Sequence, residues 1–483
     1  MQCEPIDAKA TIAARTWSPG SWRACEALQM AEYDDKAQYA KVMDKLSKVP
    51  PLVHAVEVDR LQADLAAAAR GEKFIIQGGD CAERFIDCEG DRLEKNLKLI
   101  VQMGALVEAA TGLPPVRVSR IAGQYGKPRS SPTEKHPTMG EIKSFKVGRT
   151  HVQRAAPPAC ACYLPSQMCA TLSRCAIPTA APQGDNINGY AATDRAWDPN
   201  RLLEGYWHSC ATLNFLRSQA ANEDFGSAML GPLDVDFLRS SPSHGSWLKA
   251  AQSAKARAAE TQRSLYTAHE AMQLDLEEAL TREVPGKGFY NLSAHMVWIG
   301  DRTRQLLGAH VEYFRGIKNP IGCKVGPSMA PEELKELVGI LNPDRLPGHL
   351  VLITRYGNAK IESMLPAHIK AVAESGVPVV WQCDGVHGNT VTAAANKLKT
   401  RKLDDVVGEC TKAIRIHREN GSNLGGIHIE MTGQETVTEC TGGCTNIFEE
   451  MLTNNYETYC DPRLNYAQAI EAALLCANTL SSR

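Results

Sequence analysis

Residues 321–381, IGCKVGPSMAPEELKELVGILNPDRLPGHLVLITRYGNAKIESMLPAHIKAVAESGVPVVW, decide the fold that we predict for this chain. The apolar, β-branched runs Ile321 to Val325, Leu350 to Thr354 and Val377 to Trp381 have the length of buried strands. Between them, Pro331 to Leu341 and Ile361 to Ser375 have the periodicity of helices, and the first of these begins with proline and two glutamates. Strands and helices in alternation predict parallel strands joined by right-handed crossovers.

The same alternation continues outside this stretch. Further strand-like runs are Phe74 to Ile76, Val116 to Ile121, His310 to Phe314 and Gly426 to Met431, and Leu403 to Asn420 has a helical pattern. No GxGxxG or GxxxxGK[ST] motif follows the first strand, which weighs against a nucleotide-binding doubly wound sheet. We therefore predict an α/β fold, a (β/α)₈ TIM barrel over residues 73–483 with inserted helices at about 218–281. An N-terminal extension, mostly helical between Asp35 and Gly71, is expected over residues 1–72.

Composition excludes several classes of function. Lys and Arg total 53 against 55 for Asp and Glu, and a formal charge of −2 gives no field suited to nucleic acid. No uncharged apolar run approaches the ~20 residues that span a bilayer, so no membrane partner is expected. The first residues, MQCEPIDAK, do not resemble a leader, which favours a cytoplasmic protein, or a plastid protein whose leader is missing. The 16 cysteines are too sparse for a disulfide scaffold and should be mostly free thiols.

One segment breaks the pattern. Residues 147–183 contain no Asp, Glu or Lys but have four Cys and five Pro. A metal-binding loop is one interpretation, although the cysteine spacing lacks the paired CxxC of structural zinc sites. A translated intron is a sharper hypothesis, because the segment begins with Val and ends with Gln, whose codons fit GT…AG borders, and its 37 codons would keep the reading frame.

Residues that bind metals and anions follow the predicted strands. In barrel enzymes the catalytic groups lie at the carboxyl ends of the strands, and here those positions hold Cys81, Arg120, Lys324, Arg355, Asp384 with His387, and Glu430. Singly, Cys81 reads as a small buried residue, His387 as a structural histidine and Asp461 as a helix N-cap. Together, one thiolate (Cys81), one imidazole (His387) and two carboxylates (Glu430 and Asp461) suit a borderline divalent cation such as Mn²⁺, Fe²⁺, Co²⁺ or Zn²⁺.

A group of cationic side chains accompanies these candidate ligands. Its members are Arg120, Lys127, Arg129, Arg302, Arg304, Lys324 and Arg355. Arg grips phosphate and carboxylate bidentately, and Lys supplies a compact charge. Solvated surface charge would explain Arg302 or Arg304 about as well, but it explains Lys324 and Arg355 poorly because both end apolar runs. A metal beside several cations indicates a small, multiply anionic and phosphorylated substrate, with chemistry at an oxygen that the metal polarises.

The same segments resemble the class II (plant and microbial type) 3-deoxy-D-arabino-heptulosonate 7-phosphate (DAHP) synthases. The motifs that carry the resemblance are WSPGSWR at 17–23, FIIQGGDCAERF at 74–85, RIAGQYGKPRSSPTE at 120–134, GDNINGY at 184–190, the run AHMVWIGDRTR to GCKVGPSM at 294–329, ITRYGNAKI at 353–361, HGNT at 387–390, GGIHIEMTGQ at 425–434 and CDPRLN at 460–465. They occur in the family's order over nearly the whole chain.

The resemblance implies a metal-dependent enzyme that condenses phosphoenolpyruvate with erythrose 4-phosphate in the first step of the shikimate pathway. By motif, it places the metal, most simply Mn²⁺, on Cys81, His387, Glu430 and Asp461. It places phosphoenolpyruvate on Arg120, Arg302, Lys324 and Arg355 with Lys127 nearby, and the erythrose phosphate on Arg129 and Ser130. Lys324 and Asp301 are the candidates for activating the water that enters the reaction. A homo-oligomer is also implied.

Three departures from the family pattern leave alternatives open. Asp301 stands where the family usually has Glu, Gly385-Val386 where it has Pro-Met, and the 147–183 segment separates two substrate motifs. A pathway-specialised DAHP or aminoDAHP synthase is the nearest alternative, and a catalytically impaired barrel is another. A metal-dependent barrel hydrolase fits less well, because such sites usually rely on several histidines. A non-catalytic binding protein would not need all four candidate ligands.

Overall fold

The computed structural model describes residues 12, 15–127, 133–136, 140–143, 184–189, 191 and 193–482. Its centre is a closed barrel of eight parallel strands in sequential order, so the predicted (β/α)₈ barrel is confirmed. The strands are β1 (Phe74–Gly79), β2 (Pro115–Arg120), β3 (Tyr266–Glu270), β4 (Met296–Ile299), β5 (Ile321–Val325), β6 (Leu350–Thr354), β7 (Val380–Asp384) and β8 (Leu424–Glu430). The segment 147–183, with its intron hypothesis, and the predicted substrate residues Arg129 and Ser130 lie outside the described residues.

Helices surround this barrel and precede it. They are α1 (Lys36–Lys48), α2 (Ala55–Ala69), α3 (Gly90–Thr111), α4 (Asn200–Ala221), α5 (Phe225–Leu230), α6 (His244–Ala256), α7 (Leu274–Ala279), α8 (Ala309–Phe314), α9 (Pro331–Leu341), α10 (Ile361–Ser375), α11 (Leu403–Glu419) and α12 (Tyr466–Ser481). Two-stranded hairpins pair Thr133–His136 with Gly140–Lys143, Thr281–Val284 with Gly288–Asn291, and Thr390–Thr392 with Lys399–Arg401. Within the described ranges, no helix combines the length and the apolar character needed to cross a membrane.

Local signals set the helix boundaries that the sequence predicts. Helix α9 begins at Pro331, whose missing N–H costs nothing in a first turn, and α10 ends at Gly376, which adopts a left-handed φ of +65°. The predicted helical stretch between Asp35 and Gly71 is two helices, because Pro50 and Pro51 separate α1 from α2. His54 and Glu57 form a capping box at the start of α2.

Three strand predictions need correction. The run His310 to Phe314 lies in α8, a fully buried helix, and a short apolar run cannot by its pattern be told from a strand. Strand β7 starts at Val380 rather than Val377, because Pro378 has no N–H for the ladder. Strands β3 and β4 are absent from the sequence prediction, and β3 lies inside the 218–281 range assigned to inserted helices. The sequence of β3, YTAHE, contains two buried polar residues, Thr267 and His269, so it lacks the apolar run that indicates a strand.

The lower half of the barrel is an apolar core closed by α2. Inward-facing residues of the strands pack in one cluster with Leu61, Leu65 and Ala68 of this helix. The strand members are Ile75, Val116, Val118, Tyr266, Ala268, Met296, Trp298, Val351, Ile353 and Val380. Helix α2 therefore covers the amino-terminal end of the barrel and keeps water out of its floor.

The inward-facing positions change character toward the carboxyl ends. On β2 the inward series Val116, Val118 is followed by Arg120, and on β7 Val380 is followed by Gln382 and Asp384, because side chains of one face recur every second residue. The register places Gly79 of β1 level with both Arg120 and Glu430. Charged groups thus gather in one layer above the apolar floor.

Truncation of a buried side chain of α2, which covers the amino-terminal end of the barrel, should lower the stability of the whole fold. Leu65 is 1% exposed inside the barrel end, so Leu65→Ala should lower the free energy of unfolding by about 2 to 5 kcal/mol through lost contacts and a residual cavity. Urea denaturation followed by circular dichroism measures it. Val56→Ala is the matched control, since Val56 on the same helix is 51% exposed and should change stability by less than about 0.5 kcal/mol. Equal losses of stability in both variants would contradict the role of α2 in closing the barrel.

Candidate active site

Four predicted metal ligands meet at the carboxyl end of the barrel. Cys81 follows β1, Glu430 ends β8, His387 follows β7, and Asp461 lies on the loop before α12. The Nε2 of His387 is 3.0 Å from Oε1 of Glu430, and the Asp461 backbone N–H donates to Sγ of Cys81 at 3.2 Å. Donor atoms of His387, Glu430 and Asp461 all lie within 4.8 Å of one another, as do those of Cys81, Cys460 and Asp461. The side chains named from the sequence are therefore brought together.

The protonation states of this cluster suit a cation. Burial works against the charge of Glu430, but His387, Lys127 and the Arg401 guanidinium outweigh it and hold the pKa of that carboxyl well below its usual range. The pKa of Asp461 is likewise lowered in spite of burial, chiefly by Lys127. Burial raises the pKa of the Cys81 thiol, so a metal or another cation must be present to draw off its proton. One sulfur, one imidazole and two carboxylates are a donor set that fits a borderline divalent ion.

Asp384 orients the imidazole of His387. Its Oδ2 lies 2.7 Å from Nδ1 of His387, and its Oδ1 accepts the backbone N–H groups of Val386 and His387 at 3.0 and 3.1 Å. One ring nitrogen therefore faces Asp384 and the other, Nε2, faces Glu430 and the cluster, so the Asp384 carboxylate fixes the direction of Nε2. Lys324 contacts the same Oδ2 of Asp384, so Asp384 ties the metal-ligand cluster to the cationic group.

The cationic group lies beside this cluster, on a floor formed by Trp298. The Arg120 guanidinium lies 5.2 Å from the Trp298 ring centroid, and the Lys324 ammonium lies 5.9 Å from it. Arg120 donates to Oε1 of Glu430 at 3.1 Å and contacts Nε2 of His428 at 2.7 Å. Burial holds the pKa of His428 well below its usual value, so the ring is neutral and its Nε2 accepts from Arg120. The positive charges of Arg120 and Lys324 therefore both lie close to the Trp298 ring.

Arg355 and Asp301 form a second part of the cationic group. Arg355 donates to Oδ2 of Asp301 at 2.7 Å and to the carbonyl of His387 at 3.0 Å. Arg304 holds the other oxygen, Oδ1, at 3.0 Å. Asp301, predicted as a water-activating residue, is thus fixed between two guanidinium groups. Arg302 is exposed at the rim, and its side chain makes no hydrogen bond or ion pair with another described residue, so the structure does not bring it together with the other predicted residues.

Sequence reasoning missed two cations that serve the metal-ligand cluster. The hairpin 390–401 carries Lys399, whose Nζ is 2.9 Å from Oδ1 of Asp461, and Arg401, which is fully buried and 2.8 Å from Oε2 of Glu430. Arg401 also donates to the carbonyl of Pro462 and to Oγ1 of Thr390. Both residues lie in KLKTRKLDD, which reads as an exposed charged stretch. No signal in the sequence distinguishes the buried arginine there.

A buried ion-pair network anchors the loop of Asp461. Arg463 donates to both carboxylate oxygens of Glu439 at 2.7 and 3.0 Å and to Oδ1 of Asp80 at 2.5 Å. Asp80 immediately precedes Cys81, so the same arginine links the two ligand-bearing loops. Such a bidentate pair fixes orientation as well as position.

The turn that delivers Lys127 is held by Glu83. The carboxylate of Glu83 accepts the backbone N–H groups of Ala122, Gly123 and Gln124 at 2.7 to 3.0 Å. Ala122 has a left-handed φ of +63°, a strained conformation for a residue with a Cβ. Burial raises the pKa of Glu83 to about 7. The turn therefore depends on an interaction with one side chain from the loop after β1.

The fold and the site define a barrel enzyme that brings a candidate divalent-cation site and a group of cationic side chains together at one mouth. Residues 17–158 and 166–477 match the model of the class-II DAHP synthetase family. The chain belongs to this family. Two similar proteins, from Neurospora crassa and Streptomyces coelicolor, are each named phospho-2-dehydro-3-deoxyheptonate aldolase and are each 40% identical, over 500 and 484 aligned residues. The alignments cover 96% and 97% of this chain, and 94% and 98% of the relatives.

Removal of the Glu83 carboxylate should destabilise the turn. In Glu83→Ala three buried backbone N–H groups lose their acceptor, and we expect the free energy of unfolding to fall by about 1 to 3 kcal/mol. Glu83→Gln, which keeps one acceptor oxygen, should lose less. Urea denaturation measures both, with Glu94→Ala as control because the Glu94 side chain is 43% exposed and forms a surface ion pair with Lys98. A loss in Glu83→Ala no larger than in Glu94→Ala would refute the role.

Proposed function

We propose a separate role for each of these residues in the reaction of the family. The chain is a 3-deoxy-7-phosphoheptulonate synthase and acts in the first step of the shikimate pathway. Phosphoenolpyruvate, erythrose 4-phosphate and water give DAHP and phosphate. The C3 carbon of phosphoenolpyruvate forms a bond to the aldehyde carbon of erythrose 4-phosphate, water adds at C2, and phosphate leaves by cleavage of its C–O bond. The observation that carries the assignment of roles is the convergence of Cys81, His387, Glu430 and Asp461 at the barrel mouth.

A divalent ion would be held by those four side chains. When bound, it supplies Lewis acidity at the aldehyde oxygen of erythrose 4-phosphate. Mn²⁺ is the ion that we propose first, and Co²⁺, Fe²⁺ and Zn²⁺ suit the same donors. Asp384 orients the His387 ring, and Arg401 holds the second oxygen of Glu430 at 2.8 Å, so these two residues set the direction of the donor atoms.

Phosphoenolpyruvate is bound by the cationic group. Arg120 and Lys324 lie against the ring of Trp298 within the barrel, and Arg355 donates to the carbonyl of His387, whose ring contacts Asp384. Arg302, which is exposed at the rim, belongs to this group in our proposal, as does Lys127, which follows the turn held by Glu83. Fixed positive charges in a site shielded from water hold the phosphate and carboxylate in one orientation, so that C3 faces the aldehyde carbon.

The remaining roles are those of the second substrate and of water. In this proposal Arg129 and Ser130, which the resemblance assigns to it, bind the phosphate of erythrose 4-phosphate. Lys324 is our first candidate for moving the proton of the attacking water: burial lowers its pKa to about 8, so the ammonium binds the substrate anion below this pH, and the amine accepts a proton only in its neutral form. Asp301, held by Arg304 and Arg355, fixes those guanidinium groups and remains the second candidate.

Loss of either the sulfur or the imidazole ligand should abolish the reaction. We expect Cys81→Ser and His387→Ala to reduce phosphoenolpyruvate consumption in the presence of erythrose 4-phosphate at least about 100-fold, because each removes a metal donor. EDTA should inhibit the wild-type protein, and Mn²⁺ should restore it. Cys210→Ser is the control, since Cys210 lies on α4 and is not one of the candidate metal ligands. Rates close to wild type in Cys81→Ser or His387→Ala would overturn the ligand assignment.

The rate should fall at alkaline pH because Lys324 loses its charge. Burial lowers the pKa of Lys324 to about 8, so the ammonium is present below this pH and lost above it. We expect kcat/KM for phosphoenolpyruvate to decrease about tenfold per pH unit above about 8. Lys324→Arg should move this alkaline limb upward, because the guanidinium keeps its charge. If kcat/KM of Lys324→Arg falls at the same alkaline pH as that of the wild type, another group is responsible for the decrease. The control is Lys335→Arg, at an exposed lysine, which should leave the pH profile unchanged.

A further inference from the structure

We infer that Lys127 is a built-in counter-ion that the divalent ion must displace, and that its displacement couples metal binding to phosphoenolpyruvate binding. This inference rests on the proposed function. Its basis is the position of one ammonium group. The Nζ of Lys127 lies 2.6 Å from Sγ of Cys81, 2.5 Å from Oε1 of Glu430 and 3.2 Å from Oδ2 of Asp461. Three of the four donor groups assigned to the metal therefore surround a lysine nitrogen.

The ammonium and a divalent ion cannot share these atoms. A metal bound by sulfur and carboxylate oxygens lies about 2.0 to 2.3 Å from them, and the lysine nitrogen is within 0.6 Å of such distances for Cys81 and Glu430. An ammonium group has three donors, and here all three are directed at the metal ligands. While Lys127 is in this position it has no donor left for a substrate anion.

Lys127 differs in this respect from the other cations at the metal-ligand cluster. Arg120 is fixed by the carbonyl groups of Asp80 and Cys81 at 2.9 and 3.0 Å, and Arg401 by Pro462 and Thr390. Lys399 reaches only the outer oxygen of Asp461, and half of its side chain is exposed. Among the described contacts, the Lys127 ammonium contacts the metal ligands alone, on a flexible four-carbon stem. It is the cation that can leave without breaking other bonds.

The charges indicate where Lys127 goes. A divalent ion among Cys81, Glu430 and Asp461 repels the ammonium and takes its three acceptors. Arg120 and Lys324, which bind phosphoenolpyruvate in our proposal, lie beside the metal-ligand cluster, since Arg120 itself contacts Glu430 at 3.1 Å. The ammonium can turn from the carboxylates to the anion held there while its backbone stays in the turn fixed by Glu83. Lys127 is therefore a positioning residue that exchanges one set of negative charges for another.

This exchange predicts a reciprocal linkage. Phosphoenolpyruvate should tighten metal binding, because it offers the displaced ammonium a new partner, and the metal should tighten phosphoenolpyruvate binding by the same factor. Without the lysine, the metal has no competitor for its ligands. Metal binding should then be tighter in the absence of substrate and less dependent on phosphoenolpyruvate.

The test is calorimetric titration of the chelator-treated protein with MnCl₂, with and without saturating phosphoenolpyruvate. For Lys127→Met we expect the Mn²⁺ Kd without phosphoenolpyruvate to fall at least about tenfold, and the ratio of the two Kd values to fall toward one, from a wild-type coupling of about 5- to 150-fold. Lys127→Gln, which is neutral but polar, should behave alike if the methionine variant does not fold. Lys399→Met is the matched control: it removes the same charge 2.9 Å from Asp461 but outside the three-ligand position, so its Kd should change less.

The outcomes separate this inference from the proposed function. Unchanged or weaker Mn²⁺ binding in both neutral variants would overturn the counter-ion role, as would a wild-type Kd that does not respond to phosphoenolpyruvate. A gain in Lys399→Met equal to that in Lys127→Met would also overturn it, since charge alone would explain both. A wild-type protein that binds no Mn²⁺ and consumes no phosphoenolpyruvate would instead refute the proposed function.

Discussion

The carboxylate of Glu430 is fully buried and charged, and the mouth of the barrel is arranged around it. Lys127 and Arg120 contact its Oε1, Arg401 lies beside its Oε2, and His387 approaches at 3.0 Å. A buried carboxylate without partners would cost several kcal/mol, so these groups together stabilise the charge of Glu430 in the folded chain. The same constraint explains why the strand end, the loop after β7 and the hairpin 390–401 converge on one point.

The apolar residues that stabilise the barrel and the charged residues of the candidate site lie at different levels along the barrel axis. The lower layers are filled by aliphatic side chains and covered by α2, and Trp298 forms the boundary on which Arg120 and Lys324 rest. Charges above this boundary are shielded from water by the rigid apolar core below them, which strengthens their interactions with a bound anion. A substitution below the tryptophan therefore acts on unfolding, whereas one above it acts on binding or rate and, where it removes a partner of a buried charge or turn, on unfolding as well.

The sequence predicted the barrel and the grouping of most cluster residues because both follow from strand ends. Arg120, Lys324 and Glu430 each finish an apolar run, so parallel strands bring them to one edge. Strand β3 was missed because Thr267 and His269 are polar residues buried between strand and helices, and α8 was mistaken for a strand because all six of its residues are buried. The motif resemblance, confirmed by the family match, supplied the roles that position alone could not.

The residues that the sequence could not place are those whose burial depends on long-range packing. Arg401 and Lys399 lie in a charged stretch whose pattern is typical of surface, and only the folding of the hairpin over the loop of Asp461 gives them partners. Arg302 shows the converse, since a cation within a strong motif lies exposed at the rim. Charge patterning describes local solvation, whereas burial of a single cation is decided by the tertiary fold.

The closure of the barrel between its first and last strands has a consequence for biosynthesis. Strand β1 pairs with β8, and the cluster joins Cys81 to Asp461, 380 residues further along the chain. During translation the sulfur of Cys81 therefore emerges long before the carboxylate of Asp461. A nascent or truncated chain that ends before Asp461 lacks the complete set of candidate ligands, so the proposed metal site assembles only in a chain synthesised past that residue.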